Sequence, residues 1–197
     1  MNIYFLKNFM LVLMCCLICV GCGKKNLNEI QSDILNKYYE LSAYETIMDV
    51  RVYSNKNIRE YQMKQTYSSP NTYSSEVLKP VEIKGVKSIF DGKTLTVLNP
   101  NIPDEKIFEN YNIPAENPLF LCYFLNRYYN KDSRIVDGNN NFTIMKAQMI
   151  NNDMAINKGE LTIDNKTKLP IKLEYYDVNG NLKIDIIYSE FKFNPKR

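Results

Sequence analysis

The groups in this 197-residue chain that could do chemistry are its 22 aspartates and glutamates, five cysteines and fifteen tyrosines, for it contains no histidine. Without imidazole there is no Ser-His-Asp or Cys-His nucleophile, no HExxH zinc site and no imidazole acid–base catalysis. The seven glycines never fall into a GxxxxGK or GxGxxG loop, so the familiar phosphate cradles are missing as well. What remains is carboxylate chemistry. A glycosidase holds two acids about 5 to 9 Å apart, and the candidates are Asp104 with Glu105 or Asp49 with Glu174. Each falls at a turn or on the solvent side of a strand pattern, where charge is expected without catalysis. Asp132, Asp137 and Asp153, with their neighbouring asparagines, do not make the spaced acid pattern of a calcium loop. The chain therefore reads as a non-enzyme, with no catalytic, cofactor or metal site expected.

The cysteines inform by position. A short segment carrying Lys7 precedes the unbroken apolar run 9–20, which leads into Val20-Gly21-Cys22-Gly23 and Lys24-Lys25. The run is too short for a comfortable bilayer crossing, which takes about 20 residues, and it suits a signal-peptide core. Small or β-branched residues ahead of a cysteine match the lipobox of bacterial lipoproteins, although Cys19 stands where leucine is usual. In such proteins the thiol takes a diacylglyceryl group and the preceding bond is cut. Residues 1–21 are expected to be a lipoprotein signal peptide, 22–26 a lipidated tether and 27–197 a single domain. That domain would be exported and held at the outer face of the cell or forespore membrane through acyl chains, such as palmitate, on Cys22. Two or more chains make the anchoring stable where one is marginal. Cys15, Cys16 and Cys19 leave with the signal, so Cys122 has no disulfide partner. Its setting, Leu119-Phe120-Leu121-Cys122-Tyr123-Phe124-Leu125, marks it as a buried small hydrophobe and not a reactive thiolate.

The elements that must position these groups follow from periodicity. Leu27, Ile30, Ile34, Tyr38 and Leu41 share one helical face and predict a helix over 27–42. Period two takes over at 46–52, where Thr46, Met48, Val50 and Val52 point one way and Asp49 and Arg51 the other. Strand-like stretches follow at 58–67, 72–78, 85–90 and 94–98, the last two joined by Asp91-Gly92 as a hairpin. Pro100, Pro103, Pro114 and Pro118 break the pattern, so 100–118 reads as a loop with at most one turn of helix. A second, largely buried helix is expected over 118–130. Asp137-Gly138 and Asn139-Asn140-Asn141 give a turn before a strand at 142–150. Leu161 and Ile163, then Ile171, Leu173 and Tyr175, then Ile184, Ile186 and Tyr188 alternate with polar residues, and Asn179-Gly180 turns the chain between the last two runs. Past Tyr188 the apolar phase slips to Phe191 and Phe193. A one-residue slip turns every later side chain to the other face, which predicts a β-bulge near 188–190. Two helices and about nine strands joined by hairpins imply an α+β fold: a curved antiparallel sheet, an incomplete barrel packed on two or three helices.

Three stretches carry a family resemblance. Asp164 to Pro170, then Leu173-Glu174-Tyr175-Tyr176-Asp177 and Asn179-Gly180, resemble the closing hairpin of the LolA/LolB lipoprotein-carrier superfamily. Phe90-Asp91-Gly92-Lys93 through Pro100 resembles its central hairpin, and Tyr67 through Val77 the strand pair before it. Together these span nearly all of 27–194. The superfamily is an incomplete antiparallel barrel closed by helices, and several members hold acyl chains or lipoproteins in its hollow. With the lipobox, the Asn/Lys/Ile/Tyr-rich composition and the absence of histidine and tryptophan, the chain is most similar to the GerS-like lipoproteins of clostridial spore germination. That resemblance implies an adaptor for an N-acetylmuramoyl-L-alanine amidase, serving cortex peptidoglycan modification and germination, with the chemistry left to the amidase. It assigns a role to no residue beyond Cys22.

The adjacent tyrosine pairs 38–39, 128–129 and 175–176 place, on a strand, one ring inward and one outward; outward rings suit protein interfaces or simply clothe a wetted sheet. The formal net charge of +3 is too small and too dispersed for nucleic acid, while Lys24-Lys25 would lie against anionic headgroups. Two functions stand open. The first is the adaptor, docking through a sheet edge or outer tyrosines; unpaired edges also allow strand addition or a homodimer by strand exchange. The alternative is a lipid- or lipoprotein-binding carrier or sensor using the half-barrel cavity, against which Phe120, Tyr123, Phe124 and Leu125 would act as a plug.

Overall fold

The computed structural model describes residues 26–54, 56–69, 72–110, 117–130, 135–151 and 156–193. The expected signal peptide, Cys22 and the tether up to residue 25 lie outside them. Asn26 opens the first helix by reciprocal capping: its Oδ1 accepts from the Glu29 backbone N–H at 2.9 Å while its Nδ2 donates to Glu29 Oε1 at 3.0 Å. Helix α1 (Leu27–Tyr39) buries Ile34 and Tyr38 and half-buries Leu27 and Ile30, the stripe that the sequence period marks.

Strands β1 (Ala43–Tyr53), β2 (Ile58–Ser68), β3 (Thr72–Lys79), β4 (Lys87–Phe90), β5 (Leu95–Asn99) and β6 (Ile102–Phe108) precede helix α2 (Leu121–Asn130). After it come β7 (Ile135–Gly138), β8 (Phe142–Asn151), β9 (Ile156–Asp164), β10 (Pro170–Tyr176) and β11 (Leu182–Phe193). All eleven form one sheet in the order β6-β5-β4-β3-β2-β1-β11-β10-β9-β8-β7, with every neighbouring pair antiparallel. Two meanders thus meet at the centre, where the first strand pairs with the last. The sheet is not closed into a barrel. Its opposite edges are β6 and β7, and α2 lies in the segment that connects them.

Burial on α2 shows how the sheet treats that helix. Residues 121–125 are all buried. Five consecutive positions, at 3.6 per turn, go right round a helix, whereas a flat sheet would cover a single stripe. Partners come from both meanders: Phe120 meets Tyr73 edge-on at 4.9 Å, and Tyr123 meets Tyr175 at 6.2 Å. The sheet is therefore curved around α2, and the core fills its concave face.

Eleven strands form among the described residues, in keeping with about nine or more expected. Sequence and structure differ in three places. The stretch expected as a loop over 100–118 holds β6, whose Leu95↔Phe108, Thr96↔Ile107 and Val97↔Lys106 pairing adds it to β5 despite Pro103. Proline is tolerated because β6 is an edge strand. Strand β7 occupies Ile135–Gly138, where a turn was expected; the turn itself comes at 139–141. Ile171 does not share the inward face of Leu173 and Tyr175, since the register shifts between Pro170 and Lys172 and leaves it half-buried. The bulge expected near 188–190 is present: Met48 pairs with Tyr188 but Ile47 with Glu190, leaving Ser189 as the extra residue.

Candidate functional site

The concave face is the first place to look for a site. Along β1, Tyr44, Thr46, Met48 and Val50 face inward, and β11 opposes them with Phe193, Phe191, Tyr188 and Ile186. Only the bulge at Ser189 lets both halves of β11 present apolar side chains to this face. The hollow is occupied by α2: Phe120, Leu121, Cys122, Tyr123, Phe124, Leu125 and Tyr128 are all buried. Gly159 on β9 makes room for this, because a Cβ there would stand 3.0 Å from the Phe124 ring and 3.1 Å from Tyr175. The plug anticipated from the sequence is in place.

A polar clamp holds the entry of α2. Tyr44 Oη donates to Gln65 Oε1 at 2.6 Å and accepts from the Leu121 backbone N–H at 3.2 Å; Gln65 Nε2 donates to the Leu119 carbonyl at 3.2 Å. Leu121 begins the helix, so its N–H is one of the donors that an α-helix leaves without an internal partner. Strands β1 and β2 supply that partner inside the core. Sequence reading passed over this pair; the available signal was glutamine in the inward phase between Met63 and Tyr67.

Burial pushes the Cys122 thiol up to about 12, so it is a thiol at neutral pH and not a nucleophilic thiolate. Burial likewise raises Tyr44, Tyr175 and Tyr188 above the ordinary phenol range. The hydroxyls of Tyr123, Tyr175 and Tyr188 are buried with no hydrogen-bond partner among the described residues. Of the tyrosine pairs, only 175–176 lies on a strand; Tyr38, Tyr39, Tyr128 and Tyr129 belong to the helices. In each pair one ring is buried and its neighbour is exposed or half-exposed.

The carboxylate candidates do not converge. Asp104 and Glu105 are adjacent on exposed β6 and so point to opposite faces. Asp49 pairs with Ile187 and Glu174 with Asp185, which places them on strands separated by β11, about 10 Å apart across the sheet and offset by about 7 Å along it. Instead the convex face carries a cross-strand row in which Glu160, Glu174, Asp185, Arg51 and Glu60 stand opposite one another in turn. Lys158 pairs with Glu160 and Lys172 with Glu174, each at 2.9 Å. Asp185 is the exception: its Oδ1 is buried without a hydrogen-bond partner among the described residues and its Oδ2 lies 3.7 Å from Arg51. Burial first, then Glu174, raises its carboxyl above the usual range, while Lys172 and Arg51 oppose that shift. Burial and the charges of Glu174 and Glu160 push Tyr176 beside it up to about 12. No cluster of three or more potential metal ligands occurs among the described residues, and no described helix is long and apolar enough to cross a membrane.

Comparison with known proteins places this arrangement. A chain in the structure of the CwlD amidase from Clostridioides difficile in complex with the GerS lipoprotein is 23% identical, with a TM-score of 0.54 over 89% of this chain and 100% of that one. An uncharacterized conserved protein from Thermus thermophilus is 12% identical, with a TM-score of 0.54 over 87% of this chain and 90% of that one. The LolA superfamily protein NE2245 from Nitrosomonas europaea is 12% identical, with a TM-score of 0.41 over 85% and 94% of the two chains. The match to the structure containing the GerS lipoprotein shows a shared fold, in keeping with the resemblance drawn from the sequence. No curated protein matches the chain. The family described as sporulation protein YdcC-like matches residues 3–197, and the chain belongs to that family.

Proposed function

We propose that this chain is a non-enzymatic adaptor for a peptidoglycan amidase of the N-acetylmuramoyl-L-alanine type. In this reading it is exported, anchored through an acylated Cys22, and serves modification of the spore cortex and germination. The observation that carries the reading is the filled hollow. A carrier needs open space between sheet and helices, whereas here the aromatic face of α2 occupies that space from Phe120 to Tyr128. The surfaces left for function are the convex face, the two sheet edges and the outer side of the helices, all of which suit docking more than cargo. The family is one of sporulation proteins, and a structure with the same fold contains the GerS lipoprotein together with the CwlD amidase. Both support the adaptor.

The test is co-purification of the tagged full-length chain from sporulating cells under gentle detergent. Amidase in stoichiometric amount is the expected outcome. Recovery of the chain without amidase would sink the reading, and acyl lipid found by mass spectrometry at one molecule per chain, beyond any on Cys22, would favour the carrier instead. Cys22→Ala should move the protein out of the membrane fraction; its retention there would exclude the acyl anchor.

A further inference from the structure

An irregularity in the last strand pair of the first meander opens a groove. Strand β5 pairs with β6 through Val97↔Lys106 and next through Asn99↔Ile102. Leu98 alone therefore faces three residues, Pro103, Asp104 and Glu105, so β6 arches away from β5 at that point. The groove at this arch measures about 400 Å³, and Leu98, Pro100, Ile102 and Pro103 give it an apolar lining. Gly85 brings the turn after β3 against that lining, for a Cβ there would stand 3.1 Å from the Pro100 ring. The same turn carries Val81, 77% exposed, and Ile83, so apolar surface continues beyond the groove.

Charge selects what the groove can take. Glu76, Asp104 and Glu105 bring three carboxylates to it and Lys87 one ammonium. Glu76 stands opposite Lys87 across β3 and β4, which leaves the two acids of the arch, one on either side of it, in excess. None of these four side chains makes a hydrogen bond or an ion pair among the described residues, unlike Glu160 and Glu174, each of which is held by a lysine. The undescribed residues between 54 and 117 contain no lysine or arginine, so that stretch brings no further cation to the arch. A phosphate, a nucleic acid or an acidic peptide would be repelled here, and an acyl chain would have to strip water from the carboxylates. A peptide segment answers both features: an aliphatic side chain suits Leu98 and the prolines, and a lysine or arginine suits Asp104 and Glu105. The position agrees. Helix α1 starts beside β7, at the opposite edge of the sheet, where Gln31 Nε2 donates to the Asp137 carbonyl at 3.3 Å. An anchor at Cys22 would hold that edge at the bilayer and leave the groove open to a protein.

We infer that the groove at the β5–β6 arch docks a segment of a partner protein that carries lysine or arginine beside aliphatic residues. The inference deepens the adaptor reading and rests on it for the presence of a protein partner.

The probe is a fluorescein-labelled nonapeptide of alternating valine and lysine, titrated with the full-length chain in detergent and followed by anisotropy. One control peptide alternates valine with glutamate, the other serine with lysine. Saturable binding of the valine–lysine peptide is expected, at least about tenfold tighter than either control and weakened several-fold at high salt. Asp104→Lys combined with Glu105→Lys should weaken it by about tenfold or more, while Glu190→Lys, at an exposed acid of β11, should leave it unchanged. Both acids of the arch are exposed, so the double variant should keep the parent's thermal transition. No saturable binding, binding untouched by the double variant, or spermine binding as tightly as the peptide overturns the inference. So does a parent chain that dimerises through these two acids and binds no peptide, since the occupant is then a second copy. Amidase co-purification separates the two readings, and the double variant is expected to lose the amidase. If parent and double variant recover it equally, the inference fails and the adaptor reading stands. If the peptide binds through the arch and the parent recovers no amidase, the adaptor reading fails and the groove serves another protein.

Discussion

Tyr44 and Tyr175 are both fully buried on the concave face, yet their hydroxyls stand in opposite positions. The Tyr44 hydroxyl serves the first N–H of α2 and the Gln65 amide, so Tyr44→Phe leaves two buried polar groups without a partner. The expected loss is about 1–3 kcal/mol, read as a lower urea midpoint at unchanged slope. The Tyr175 hydroxyl has no partner among the described residues, and removing such a group relieves a desolvation cost. Tyr175→Phe should be neutral or stabilising. If it costs more than Tyr44→Phe, the clamp described here is not what holds α2. From sequence, both were simply tyrosines in the inward phase of a strand. Nothing in the alternation of apolar and polar residues says which hydroxyl meets a helix end.

At the scale of elements, the bulge in β11 is the feature most legible in advance and the most exposed to test. It exists because Ile184, Ile186 and Tyr188 share one phase and Phe191 and Phe193 the other, while both sets must face the same core. Phe191 stacks on Tyr44 at 5.4 Å and Phe193 meets Tyr38 edge-on at 5.4 Å. Deleting Ser189 would turn both rings to the wetted side or slip the ladder with β1. A fully buried phenylalanine is worth about 3–5 kcal/mol and these two rings are each partly buried, so displacing both together should lose at least about 3 kcal/mol. Ser189→Ala keeps the residue count and loses only an exposed bond from the hydroxyl to the Ile47 carbonyl, so it should cost under about 1 kcal/mol. Equal losses from deletion and substitution would show that the register does not depend on the extra residue. Strand β6 is the opposite case. Its apolar residues Ile102, Ile107 and Phe108 fall on both faces, and it is exposed throughout, so no face is selected by burial and no period marks it. The free edge of β5 decides that it is a strand.

For the whole molecule, charge responds to acid in two directions. The carboxyls of Asp91, Asp164 and Asp177 are held low chiefly by the turns they cap, through Thr94, Thr167 and Asn181 respectively, and that of Asp137 by Lys146. Such groups contribute stability above the ordinary aspartate range, near pH 4, and that stability is lost as the pH falls through their lowered values. Asp185 has the reverse sign. Its raised carboxyl favours the protonated form in the fold, so its charge destabilises at neutral pH, and the cost fades as the pH falls through the raised value toward the ordinary range. Asp185→Asn should therefore melt higher than the parent at pH 7, with the gain shrinking toward pH 4. Thermal melts from pH 3 to pH 8 check this. A lower melting point for the variant at pH 7 would mean that Arg51 and Lys172 outweigh the burial.

The one-dimensional pattern by itself determined strands β8 to β11 of the second meander, the first helix, the hairpins at Asp91-Gly92 and Asn179-Gly180, and the bulge. Each of these follows from the period of apolar residues and from turn chemistry, which act between neighbours along the chain. Tertiary structure alone decided that the first and last strands meet at the centre, that α2 fills the curve of the sheet, and that Tyr44 and Gln65 meet the start of that helix. These arrangements join residues far apart in sequence, and which strand neighbours which, or which ring meets which, depends on the shape that the whole core must close around.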